Sequence, residues 1–287
     1  MTSGQIGTEM KKISLLITSL LLLQGHALAG NNMANLIYKV PAKNKILSTK
    51  GSLNCFDCKM PSKFTVTIWN MYKGKEDSWS ADYLKLASES EIILGQEFLL
   101  QGEMKDVLSN ANRENILATS FYDTNGQATG VFTSSTVKAV SKQAFQSSDR
   151  EPIVNTPKLA LISKYPADNG QIITFINIHA LNFVGIQPFT IQIATLLSAI
   201  KDNAGPVIFA GDFNTNAPTK TLIMNMLFKK EGFKQARYTG RDDRMTFLGQ
   251  PLDHIWYRGL NLIEARVLGE IEGSDHKPMQ AEFELID

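Results

Sequence analysis

The chain has 287 residues, 43% of them hydrophobic, 20% charged and 9% aromatic. That is the composition of a globular protein, and it excludes a disordered, collagen-like or disulfide-scaffold chain. With 29 Lys and Arg against 28 Asp and Glu the formal charge is +1, so a polyanion would have to be held by local basic patches and not by bulk charge.

Lys11 and Lys12 precede a short apolar run, Ile13 to Leu23, which ends in Ala27-Leu28-Ala29. A positive start, a short apolar stretch and an A-x-A site have the form of a signal peptide, residues 1–29. The run is too short for a membrane span, which takes about 20 residues. We therefore expect an exported protein, periplasmic or secreted, with a mature formal charge of zero and three histidines, His179, His254 and His276. Residues 30–63 read as a polar, Lys-rich, irregular extension. They hold the chain's two cysteines, Cys55 and Cys58, as a C-x-x-C. The pair is half of a zinc site with no second half, and Pro61 and a strand follow where a redox helix would open. In an exported chain a short-loop disulfide is the expectation.

Regular patterning begins at Phe64. A strand is expected over 64–69, a helix over 78–90 from the spacing of Trp79, Tyr83, Leu84 and Ala87, a strand over 91–94 and a helix over 101–111. Short β-rich runs follow at 116–121, 130–135, 158–163 and 172–178, with turn signals at Asn125-Gly126 and Asp168-Asn169-Gly170 between them. Helical period returns over 190–201, then an apolar strand at 206–210, a helix at 218–229 and strands at 252–257, 262–268 and 279–285. About ten strands and four helices in mixed order fit one α/β domain, residues 64–287, of two sheets with helices outside them.

Several apolar strands end in acids, amides or imidazoles: Trp69-Asn70, Gly95-Gln96-Glu97, Asn177-Ile178-His179 and Gly211-Asp212-Phe213-Asn214. Leu252-Asp253-His254 and Ser274-Asp275-His276 are similar. In layered α/β folds such ends converge on one edge. Together they suit phosphoester cleavage. Glu97 offers carboxylate oxygen to a hard divalent ion, His179 and His276 suit proton transfer, and Asp212, Asp253 and Asp275 can orient an imidazole. Asn214 can stabilise charge on phosphoryl oxygens. His254 should point to the face opposite Asp253 and stay out of the site.

Gly211-Asp212-Phe213-Asn214, Leu252-Asp253-His254-Ile255 and Ser274-Asp275-His276-Lys277-Pro278, in that order, resemble the endonuclease/exonuclease/phosphatase superfamily of deoxyribonuclease I, and within it a small exported bacterial branch. The resemblance implies a four-layer α/β/β/α sandwich and a Mg²⁺-dependent hydrolase, with Mn²⁺ or Ca²⁺ as alternative ions. It implies that Glu97 and Asn70 hold the metal, with Asp275 contributing. It further implies that Asp253 orients His276, which acts as base or contacts the phosphate, that Asp212 positions or deprotonates water, that Asn214 meets a phosphate oxygen and that His179 protonates the leaving group. The Glu that pairs with this last imidazole in the deoxyribonuclease has no counterpart near 116–121, where Thr119 and Ser120 stand.

For substrate, Lys138, Lys142, Arg150, Lys158 and Lys164, with Lys229, Lys230, Lys234, Arg237, Arg241 and Arg244, favour nucleic acid if they line the cleft. A phospholipid or inositol phosphate is the alternative, for which Leu181 to Val184 and Phe189 would form an apolar docking loop. A non-catalytic binding module would have lost an acid or imidazole, and none is lost. No obligate protein partner is implied, and a monomer is expected.

Overall fold

The computed structural model describes residues 38–286 apart from Phe56, Ala111 and Ile153; the expected leader, residues 1–29, lies outside the described residues. One sheet carries, in spatial order, β1 (Leu47–Lys50), β4 (Glu114–Tyr122), β5 (Ala128–Ser135), β3 (Ile92–Leu99), β2 (Lys63–Asn70), β15 (Met279–Leu285) and β14 (Leu260–Val267). The other carries β10 (Lys234–Gln235), β13 (Asp253–Arg258), β9 (Val207–Asp212), β8 (Ile172–His179), β7 (Pro157–Pro166) and β6 (Ser141–Arg150), and a two-strand ribbon joins β11 (Thr246–Phe247) to β12 (Gln250–Pro251). Both sheets are mixed, since β2 runs parallel to β3 and β8 parallel to β9 while their other neighbours are antiparallel.

Period-two alternation sorts each strand into two apolar faces. Val66, Ile68, Ile92, Leu94, Phe175, Ile208, Ala210, Ile255 and Phe283 form the core between the sheets. On the outside of the first sheet, α1 (Trp79–Ser88) and α2 (Gly102–Asn110) bury Tyr83, Leu86, Met104 and Leu108 against Trp69, Ile93, Phe98 and Phe132. On the outside of the second, α3 (Ile186–Ala199) and α4 (Pro218–Lys230) bury Phe189, Ile193, Met224 and Phe228 against Ile176, Ile178, Phe209 and Trp256. The result is the four-layer α/β/β/α sandwich. Pro218 at the first turn of α4 fits a position whose N–H has no helical partner.

Several elements differ from expectation, among them the two-residue strands β10, β11 and β12, which no pattern marks. The segment before Phe64 supplies β1, whose Leu47–Lys50 pair with Ala118–Asn115 of β4. The polar run Ser141–Arg150 is β6, the outer strand of its sheet, with no fully buried residue along its length. An outer strand packed on one side needs few apolar residues, so the pattern gave little sign of it. Helix α3 starts at Ile186, four residues before the expected Thr190. Cys55 and Cys58 form a disulfide with a Cα–Cα distance of 5.6 Å.

Candidate active site

The inter-sheet rows turn polar at one end. On β9 the series Ile208, Ala210 continues to Asp212, on β2 Val66, Ile68 continues to Asn70, and on β8 Ile173, Phe175 continues to Asn177 and His179. On β13, Tyr257 and Ile255 lead back to Asp253. The same alternation that fills the core therefore delivers these side chains to the gap between the sheets. Register aligns them, with His179 opposite Asp212 and Asp212 opposite Asp253 across β8, β9 and β13. Just beneath, Gln96 Nε2 donates to Asn177 Oδ1 at 2.6 Å, and Asn177 Nδ2 donates to the carbonyls of Gly95 and Phe132, tying the sheets together behind the site.

Glu97 reaches the cleft by a different device. It is the extra residue of a bulge, since Gln96 faces Val131 and Phe98 faces Gly130, and its φ is +54°. The insertion moves Phe98 onto the helix-covered face beside Ile93 and frees Glu97 to line the cleft. Gly130 opposite has no room for a Cβ, which would overlap the Ala118 carbonyl.

Asn70 Nδ2 donates to Asp212 Oδ2 at 3.0 Å, and the Asn214 backbone N–H donates to Asp212 Oδ1 at 2.9 Å. Burial and the nearby Asp253 charge push the Asp212 carboxyl up to about 7. His276 is held inward by its turn, where Trp69 Nε1 donates to the His276 carbonyl and Ser274 Oγ to the Asn70 carbonyl. Its Nδ1 lies 2.7 Å from Asp253 Oδ2. Burial disfavours the charged ring, but the Asp253 carboxylate, with Asp212 and Asp275, outweighs it and carries His276 up to about 10. His179 Nε2 lies 3.0 Å from Lys158 Nζ, 3.5 Å from Asp212 Oδ2 and 3.8 Å from Glu97 Oε1. Burial, then the charges of Lys158, His276 and Lys73, hold this imidazole well below its usual range. One N–H of the Asn214 amide goes to the Ala180 carbonyl, leaving the other.

Of the residues singled out from sequence, Glu97, His179, Asp212, Asn214 and His276 line one cleft of about 620 Å³, with Asn70 and Asp253 hydrogen-bonded to them from beneath. Asp275 is not among the cleft residues. It is exposed, because the contacts that turn His276 inward leave its neighbour facing solvent. His254 is buried beside Thr215 and Gln235, on the face away from Asp253. Lys158, one of the basic residues expected along a nucleic-acid cleft, does line it, and so does Glu151, which no pattern in the sequence marks. The other basic residues so expected do not line it. Lys142 and Lys164 lie at the far end of β6 and β7, Lys234 pairs with Tyr257 at the far end of β13, and Arg241 and Arg244 are paired with Asp243 and Asp242. Phe189 is core, whereas Phe183 is 55% exposed at the rim.

His254 also makes a testable contribution to stability. Burial, with the Arg244 charge, lowers its ring to about 3, against about 6.5 in an unfolded chain. Between these values the unfolded state binds the extra proton, so this contribution is complete above pH 6.5 and is lost as pH falls toward 3. His254→Gln should flatten the decline in urea midpoint between pH 6.5 and 3; an equally steep decline would assign it to other groups.

Two stacked mixed sheets with carboxylates, amides and an acid-paired imidazole at their open edge define a phosphoesterase-type α/β sandwich. The chain belongs to the Endonuclease/Exonuclease/phosphatase family, whose model matches residues 68–276. Members of this family are phosphoester hydrolases that commonly use divalent metal ions. The chain is 31% identical over 273 residues to a UPF0294 protein of Vibrio campbellii, covering 91% of this chain and 95% of that one. The fold is shared with an endonuclease/exonuclease/phosphatase from Bacteroides vulgatus (TM-score 0.59, 19% identity, 78% of this chain and 99% of that one). It is also shared with the human Nocturnin catalytic domain with bound sulfate (TM-score 0.60, 16% identity, 86% of this chain and 99% of that one).

Proposed function

We propose that the protein is an exported, Mg²⁺-dependent phosphodiesterase. The observation that carries the reading is the His179–Asp212–Asp253 row with His276 ion-paired to Asp253 in one cleft. The oxygen donors Glu97 and Asn70 fit a hard divalent cation: the bulge presents the Glu97 carboxylate to the cleft, and Asn70 lies level with Gln96, the residue before it. Such an ion, when bound, supplies Lewis-acid stabilisation of a phosphoryl oxygen. Asp212, with a carboxyl near neutrality, takes the proton of an attacking water. His276 presents a cation to the phosphoryl group through Nε2, since Nδ1 is engaged by Asp253. The remaining Asn214 N–H donates to another oxygen as charge builds.

For substrate, the cleft walls favour a short nucleic-acid strand over a duplex. Apart from the histidines, Lys73 and Lys158 are its only basic lining residues among those described, while Tyr38 and Phe121 form an edge-to-face pair on it and Phe183 and Phe247 another. Aromatic faces hold unstacked bases without a dense field of cations. A second reading, a phospholipid, is favoured by exposed Phe183 and by Leu248, 80% exposed at the tip of the β11–β12 ribbon. The test is hydrolysis of single-stranded and duplex oligonucleotides, phospholipid vesicles and bis(p-nitrophenyl) phosphate. EDTA should lower activity by at least about 100-fold, with Mg²⁺ restoring it. Activity indifferent to EDTA would defeat the metal reading, and cleavage of vesicles but not oligonucleotides would defeat the nuclease reading.

A further inference from the structure

Lys158 stands in the cleft wall near the start of β7, its side chain 13% exposed. Its Nζ lies 3.0 Å from His179 Nε2 and 3.4 Å from Glu151 Oε1. An ammonium has three donors and no acceptor, so in the contact with the imidazole the lysine donates and the ring accepts. The ring proton is then on Nδ1, and Nε2, the nitrogen closest to Glu97 and Asp212, carries none. An imidazole held in this way has no proton at the cleft to give. The group with a proton on this wall is the lysine. One of its donors is directed to His179, the Glu151 carboxylate balances its charge from 3.4 Å, and donors remain for the cleft. His276, on the turn before β15, lines the same cleft.

We propose that Lys158 is the phosphate-binding residue of this wall, donating to a phosphoryl oxygen, and that His179 acts through it as an acceptor that positions the ammonium. This reassigns the role that the family resemblance implied for His179, and it rests on the phosphoester reading above. It also explains why the Glu that would make an imidazole a proton donor has no counterpart here: the partner of this ring is a cation.

The first test is calorimetric titration of the full chain with inorganic phosphate in EDTA, which reads binding without turnover. Wild-type protein should bind phosphate, and Lys158→Met should weaken binding about tenfold or more, the loss expected for a charge-assisted hydrogen bond. Lys158→Arg should retain more of the affinity than Met. Lys164→Met, on the same strand at its far end, should match wild type. His179→Gln keeps an acceptor and should retain more phosphate affinity and kcat/KM on bis(p-nitrophenyl) phosphate than His179→Leu. A wild-type protein that binds no phosphate, or unchanged affinity in Lys158→Met, overturns the proposal. So do equal losses in His179→Gln and His179→Leu, which would place the chemistry on the ring. If no ester is cleaved by wild type the phosphodiesterase reading fails, while the phosphate titration still decides the role of Lys158.

Discussion

His276→Ala is expected to lower kcat on bis(p-nitrophenyl) phosphate by roughly 10²–10³-fold, the usual range for loss of a group that stabilises charge in the transition state. It should also destabilise the fold, for a separate reason. Asp253 is buried, its Oδ1 has no hydrogen-bond partner, and its Oδ2 is held by His276 alone among the described side chains. Removing the ring strands that carboxylate, a change that costs about 3–5 kcal/mol where a buried pair is broken from one side. The double variant His276→Ala, Asp253→Asn removes the stranded charge, so its urea midpoint should move back toward wild type while kcat stays as low as in the single variant. Recovery of activity together with stability would show that His276 serves the fold and not the reaction.

Gly211→Ala should produce the largest purely structural loss. Gly211 sits in β9 between Ala210 and Asp212 with φ of +140°, and a Cβ there would overlap the Ile178 carbonyl of the adjoining parallel strand. Backbone strain of about 1–3 kcal/mol and overpacking of about 1–3 kcal/mol both apply. Their sum is a large share of a domain stability of about 5–15 kcal/mol. The loss should appear as a lower urea midpoint, and the Asp212 row should be displaced from His179, so kcat should fall even where the variant is folded. A midpoint within experimental error of wild type would mean that β8 and β9 separate at little cost.

Much of the site could be read because the rule that builds the core also builds the cleft. Parity along Val207–Asp212 and Asp253–Arg258 places Asp212 and Asp253 on the core-facing side of their strands, and parity along 252–257 already removes His254. Glu97 is the exception. Counting in twos from Ile93 through Gly95 puts it on the helix-covered face, and only the bulge, with its close approach of Gly130 to Ala118, reverses that. A bulge depends on the neighbouring strand, and no residue type at 97 announces it. Asp275 lies in a turn, where no period states which way a side chain faces. The basic residues misled most. Charge along a strand says nothing of which end of the sheet it occupies, and Lys164 and Lys158 lie at opposite ends of β7. Of these, Lys158 alone lines the cleft.

The pairing of β1 with β4 bears on how the protein can be produced. Leu47–Lys50 cover one side of β4, and Ile46 is buried with Ile116, Ala118 and Val131. A recombinant form begun at Phe64, where regular patterning starts, would lack that cover and present a nine-residue strand, with Ile116, Leu117 and Phe121 along it, as a naked edge. Unpaired strand edges of this kind template further strands, so such a truncation should aggregate on refolding where a form begun after Ala29 stays in solution. Light scattering during dilution from urea would distinguish the two.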